Sequence, residues 1–134
     1  MRTFHVLVVD DHKAWRELII AAIGQLQGIV VVGEAADGLS AVDQAKRISP
    51  DLVTLDIRLP QLNGIEVCKQ IRVHSPKSKI LCVSENRLPE IVEEAFKVGA
   101  SGYVLKSAAG TDLLRAVKAV LRGKRFVSDS LGIM

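Results

Sequence analysis

The chain has 134 residues, a length that favours one domain around one core. Hydrophobic residues make up 49% of it and charged residues 25%, a balance that argues against disorder, and no apolar run is long enough to span a bilayer. The formal charge of +3 permits an acidic partner without demanding one, because basic residues gather only at Arg115, Lys118, Arg122, Lys124 and Arg125, where they suit a helix C-terminus.

Met1-Arg2-Thr3-Phe4-His5-Val6 leads straight into a strand, without the apolar stretch or cleavage site of a secretory signal, so a cytoplasmic location is expected. Val6 to Val9 is so apolar that it predicts a strand covered on both faces. Trp15, Leu18, Ile19, Ala22, Ile23 and Leu26 recur at helical spacing, and Gly28 is expected to close that helix. Ile29 to Val32 predicts a second strand, and Ala41, Val42, Ala45 and Ile48 a second helix ended by Ser49-Pro50. Leu52 to Leu55 is a third strand, followed by a loop broken at Pro60 and Asn63-Gly64 and a helix through Ile65, Val67, Cys68 and Ile71. Ile80 to Val83 is a fourth strand, and Pro89 opens a helix through Ile91, Val92, Ala95 and Phe96. Tyr103 to Leu105 is a fifth strand. A last helix, capped by Gly110 or Thr111, carries Leu113, Leu114, Val117, Val120 and Leu121. Repeated strand–helix units imply a parallel sheet with helices on both faces, an α/β doubly wound fold. Residues 1–126 are expected to form the domain and 127–134 a short tail.

Position singles out a few polar residues. Asp10 and Asp11, Asp56, Ser84 and Lys106 each stand at or just past the C-terminal end of a different strand. In an open parallel sheet those ends share one edge, and ligands bind where strand order reverses. One aspartate after a strand is commonly a turn or a helix cap. Three acids, a hydroxyl and a lysine at four strand ends suggest a site. Two like charges about 4 Å apart cost on the order of 4 kcal/mol at an effective dielectric near 20. A divalent cation relieves that cost, and carboxylate oxygens favour magnesium or manganese over zinc. An ionised carboxylate is a nucleophile without a general base, and phosphoryl transfer asks mainly for positioning and charge neutralisation. Lys106 and Ser84 are suited to hold phosphoryl oxygens. Cys68 and Cys82 lack metal spacing and read as structural thiols; His5, His12 and His74 show no paired spacing, and His12 reads as a solvated loop residue. Trp15 reads as packing between helix and sheet, close enough to report on ligands by fluorescence.

Several segments carry a family resemblance: Val8-Val9-Asp10-Asp11-His12, Val32-Gly33-Glu34-Ala35 with Asp37-Gly38, Pro50 to Pro60, Asn63-Gly64-Ile65-Glu66-Val67 and Gly99 to Lys106. In this order they resemble the receiver domain of two-component response regulators, of the NarL/FixJ (LuxR) type. The resemblance implies a (βα)5 sandwich with a five-stranded parallel sheet in the flavodoxin-like order 2-1-3-4-5. It implies that Asp56 is the phosphoacceptor and that Asp11, Asp10 and the Arg58 carbonyl hold Mg2+ (or Mn2+). It casts Lys106 and Ser84 as phosphoryl stabilisers, and Ser84 and Tyr103 as switch residues, with Tyr103 swinging inward on phosphorylation to remodel the face of the fourth helix, fifth strand and fifth helix. Arg58, Glu85 and Asn86 would tune access to the acid. The implied partners are a histidine kinase or histidine phosphotransfer domain, a homodimer partner, and DNA through an output domain that this chain lacks; no membrane is implied. The chain would be a phosphoacceptor able to phosphorylate and dephosphorylate itself, not a conventional enzyme.

Two positions depart from the family pattern. Glu85 stands where a small residue is usual, and Ser107 where many receivers have proline. A cis bond before a non-proline residue costs about 3–4 kcal/mol, so a cis Lys106–Ser107 bond would have to be offset by the site. The rival readings are a stand-alone receiver, a pseudo-receiver that only binds partners, and a phosphatase of the haloacid dehalogenase type. That last class wants an acid two residues after its nucleophile, where Arg58 stands. No recognition helix for DNA is apparent.

Overall fold

The computed structural model describes residues 2–131. Strands β1 (Phe4–Val9), β2 (Ile29–Ala35), β3 (Leu52–Leu55), β4 (Lys79–Ser84), β5 (Gly102–Leu105) and β6 (Phe126–Val127) form one parallel sheet in the order β2-β1-β3-β4-β5-β6. Helices α1 (Lys13–Ile23), α2 (Gly38–Ile48), α3 (Gly64–His74), α4 (Pro89–Lys97) and α5 (Ala109–Leu121) cover it. Successive strand residues point to opposite faces, so each strand serves two cores. Leu7, Val9, Val53, Leu55, Ile80, Cys82 and Tyr103 pack with α2, α3 and α4, while Val6, Val8, Leu52, Leu81, Val83 and Val104 pack with α1 and α5. In α5 the buried residues Leu113, Ala116, Val117 and Val120 face the second core.

The expected order of the first five strands holds, but the sheet has six strands, not five. The sixth arises because β5 would otherwise present an open edge of backbone groups. Phe126 and Val127 fill it opposite Gly102 and Tyr103, and Ser128 N–H donates to the Tyr103 carbonyl at 3.0 Å. Two helix ends also differ from expectation. α1 stops at Ile23, and Leu26 lies in the turn that follows, still packed against the α1–α5 core, so its apolar spacing outlasts the helix. α5 starts at Ala109, straight from a 3-10 turn over Lys106–Ala108 whose Lys106 carbonyl accepts from Ala109 N–H. Thr111 and Gly110 therefore lie inside the first turn. The described residues contain no cis peptide bond, so the Lys106–Ser107 bond is trans.

Register places the site. Val9 lies opposite both Ala35 and Leu55, Leu55 opposite Cys82, and Ser84 opposite Leu105. The strand ends are nearly level, so the residues that follow them emerge side by side. β1 is flanked by β2 on one side and β3 on the other, which opens the crevice above β1 and β3.

Candidate functional site

Asp10 and Asp56 are fixed by backbone before their side chains act. Asp10 N–H donates to the Ala35 carbonyl and Asp56 N–H to the Val9 carbonyl, each at 3.1 Å. Lys106 leaves β5 and reaches both acids: its Nζ lies 3.0 Å from Asp56 Oδ2 and 2.8 Å from Asp10 Oδ2. All three residues are at most 5% exposed. The Trp15 ring covers the ammonium, its centroid 4.9 Å from Nζ, and so adds a cation–π contact to its packing role. Asn63 caps α3 by accepting from Glu66 N–H at 3.1 Å. That helix enters against the acid, and a Cβ on Gly64 would overlap the Asp56 carbonyl, so only glycine fits there.

Burial dominates the electrostatics. It raises the Asp56 carboxyl, against the pull of the Lys106 ammonium and with help from the Asp10 charge. Burial also works to lower Lys106, but its bonds to Asp10 and Asp56 outweigh this and its pKa is raised. One cation between two buried acids leaves the centre negative, and Asp11, more exposed, adds to it. Asp10 Oδ2 is buried with no aligned hydrogen bond despite its ion pair. Carboxylate oxygens of Asp10, Asp11 and Asp56 lie within 4.8 Å of one another, together with a His12 nitrogen. This donor set and its surplus negative charge fit a divalent cation. Arg58 sits beside it, its N–H donating to Asp56 Oδ1 at 3.3 Å. Asp11 and Arg58 line an open cleft of about 790 Å³ that runs over Asn63 and Glu66.

The remaining expected residues lie on the β4 and β5 side. Ser84 is buried, and its Oγ accepts from Asn86 N–H at 3.1 Å. Tyr103 is fully buried, and its hydroxyl donates to the Asn86 carbonyl at 2.6 Å. Burial pushes that hydroxyl up to about 12. The inward position expected to follow phosphorylation is the one this structure has, since the Asn86 carbonyl satisfies the buried hydroxyl. Glu85 is exposed, and it lines a cleft of about 310 Å³ with Arg58, Asn86 and Leu88. His12 is exposed and lies in the loop before α1, as expected, but it also joins the acidic cluster. Its side chain is 64% exposed, yet Nδ1 lies 3.1 Å from Asp11 Oδ1 and 3.4 Å from Asp10 Oδ1. Its place directly after the acidic pair was the available signal.

Comparison with known proteins agrees with this geometry. Residues 6–118 match the response regulator receiver domain. The probable transcriptional regulatory protein NarL of Mycobacterium tuberculosis is 35% identical over 126 residues, which are 94% of this chain and 58% of that protein. The chain thus spans little more than half the length of that relative. A two-component response regulator of the LuxR family from Aurantimonas superposes with a TM-score of 0.92 at 35% identity, over 97% of this chain and 93% of that one. A structure of RcsB dimers bound to DNA matches with a TM-score of 0.89 at 28% identity, over 98% of this chain and 67% of that one. This chain belongs to the response regulator receiver family, and its relatives include NarL-type transcriptional regulators.

Proposed function

We propose that Asp56 accepts a phosphoryl group from a histidine kinase or histidine phosphotransfer domain. The observation that carries this reading is the buried Asp56 carboxylate at the end of β3, paired with Lys106 and beside Asp10. A carboxylate oxygen of Asp56 forms the new P–O bond as the donor's P–N bond breaks, and the donor imidazole keeps the electron pair. Asp10, Asp11, Asp56 and the Arg58 carbonyl would hold Mg2+, which neutralises charge on the transferring group when bound. Lys106 pairs with a phosphoryl oxygen, and Ser84 donates to another, since a hydroxyl can accept from Asn86 and donate at once. Tyr103 and Ser84 then fix the face of α4, β5 and α5, and Arg58, Glu85 and Asn86 tune access.

The chain would be a phosphoacceptor able to phosphorylate itself from small donors and to dephosphorylate itself, rather than a conventional enzyme. The receiver takes in β6 and the buried Ser128, past the expected boundary at residue 126, and as part of a longer protein it would control transcription in the cytoplasm as a dimer through an output domain. Among the described residues no helix is long and apolar enough to cross a membrane. The test is intact mass after incubation with acetyl phosphate and Mg2+, for the native chain and Asp56→Asn. A gain of one phosphoryl group that needs both Asp56 and the ion is expected; labelling that survives the substitution rejects the assignment.

A further inference from the structure

The imidazole of His12 has no role in the reading above. It precedes α1 at the N-cap position, yet its side chain makes no capping hydrogen bond. Its backbone N–H donates to Asp10 Oδ1 at 2.9 Å, which ties the residue to the acids. Nδ1 then lies 3.1 Å from Asp11 Oδ1 and 3.4 Å from Asp10 Oδ1. At 64% exposure the ring is not pressed there by packing.

One ligand atom from each of Asp10, Asp11, His12 and Asp56 falls within 4.8 Å of the others. An ion bonded at about 2.0–2.2 Å holds its ligand atoms no more than roughly 4.4 Å apart, so these four need close by only a few tenths of an ångström. Asp10 Oδ2 is already paired with Lys106 Nζ at 2.8 Å, but that one ammonium faces three carboxylates and leaves surplus negative charge for a divalent cation to neutralise. Magnesium gains little from nitrogen and prefers oxygen and water, whereas borderline transition ions gain from imidazole.

We propose that His12 is a direct nitrogen ligand that tilts this centre toward borderline divalent transition ions, such as Co2+ and Ni2+, over Mg2+. The inference rests on the metal reading above and deepens it by naming the ion class. Carboxylates alone already bind Co2+ better than Mg2+, so the discriminating quantity is how the ratio changes when the imidazole is removed.

Trp15 fluorescence at pH 7.5 reads binding of Mg2+ and of Co2+, each alone, to the native chain, His12→Ala, His12→Gln and Asp11→Asn. Both His12 variants should lose Co2+ affinity by about tenfold or more and keep Mg2+ affinity within about twofold. Asp11→Asn should weaken both ions. Bound Mn2+ should show a nitrogen coupling by pulsed electron paramagnetic resonance that His12→Ala removes. A Co2+ to Mg2+ ratio unchanged by either His12 variant, or a coupling that survives, overturns the proposal while leaving the metal reading intact. No binding of any ion to the native chain overturns both.

Discussion

Asp56 is held in the charged form by one ammonium that it shares with Asp10, against the burial that raises its pKa. An incoming phosphoryl anion must therefore approach a negative centre. Glu85 adds a further carboxylate at the rim of the cleft it shares with Arg58 and Asn86. In water one such charge at about 4 Å costs about 1 kcal/mol, which corresponds to roughly fivefold in rate. Glu85→Ala should therefore speed labelling by acetyl phosphate by about two- to fivefold at low salt, with the gain shrinking as salt screens the charge. Time courses by intact mass decide it, and an unchanged or slower rate removes Glu85 from control of access. Asp10, Asp11, Asp56, Ser84 and Lys106 were legible in the sequence because each directly follows or ends an apolar run, and strand ends share one edge. His12 was not, because an exposed residue leaves no mark in hydrophobic spacing and its neighbours are set by the turn out of β1. The Asn86 carbonyl that receives the Tyr103 hydroxyl was equally hidden, since a backbone acceptor carries no residue identity.

The short strand β6 joins the site's rear to the end of the chain. Ser128 is fully buried; its Oγ donates to Asp112 Oδ2 at 2.7 Å and accepts from Leu105 N–H at 3.1 Å. One hydroxyl thus links the last strand, α5 and the residue just before Lys106. Ser128→Ala leaves a buried N–H and a nearly buried carboxylate without that partner, a loss of about 1–3 kcal/mol. Urea melts should show it, while Ala in place of the exposed Asp129 should stay within about 0.5 kcal/mol. A Ser128→Ala change as small as that control would mean the tail contributes nothing to the fold. This element also marks where sequence patterning runs out. β1, β4 and β5 declare themselves by apolar runs, and β3 by one that only Thr54 interrupts, because both faces of the sheet are covered. Phe126 and Val127 form a strand only because β5 offers an open edge, a tertiary cause with no local period to reveal it. The early end of α1 is of the same kind, since Leu26 continues the helical spacing while packing from a turn.

Covering a parallel sheet on both faces leaves titratable side chains of the sheet and of the helix faces packed on it dry. Burial pushes the Cys68 thiol from 9.0 up to about 12 and the Tyr103 hydroxyl from 10.0 up to about 12, and it raises Cys82 as well. Lys106 is raised above 10.5 because its bonds to Asp10 and Asp56 outweigh burial. In each case the native state keeps its proton at a pH where the unfolded chain has lost it. The native state then binds more protons, so stability falls as pH rises. For the thiols and the phenol the fall starts near the unfolded value, because the neutral form is the one the core accepts. For Lys106 the stabilising ion pair is complete below 10.5 and is lost as pH climbs through its raised value. All four act in one direction, so nothing in this set offsets the decline. Urea midpoints should be flat from about pH 7 to 8.5 and fall steadily above about pH 9, with Cys68 alone contributing on the order of 2 kcal/mol by about pH 10.5. Cys68→Ala should start lower, from the lost packing, but decline less steeply over that range. Parallel decline of the two proteins would mean that the α3 thiol stays protonated in the unfolded chain or is open to solvent in the native one, and a pH-independent midpoint would contradict the dry core altogether.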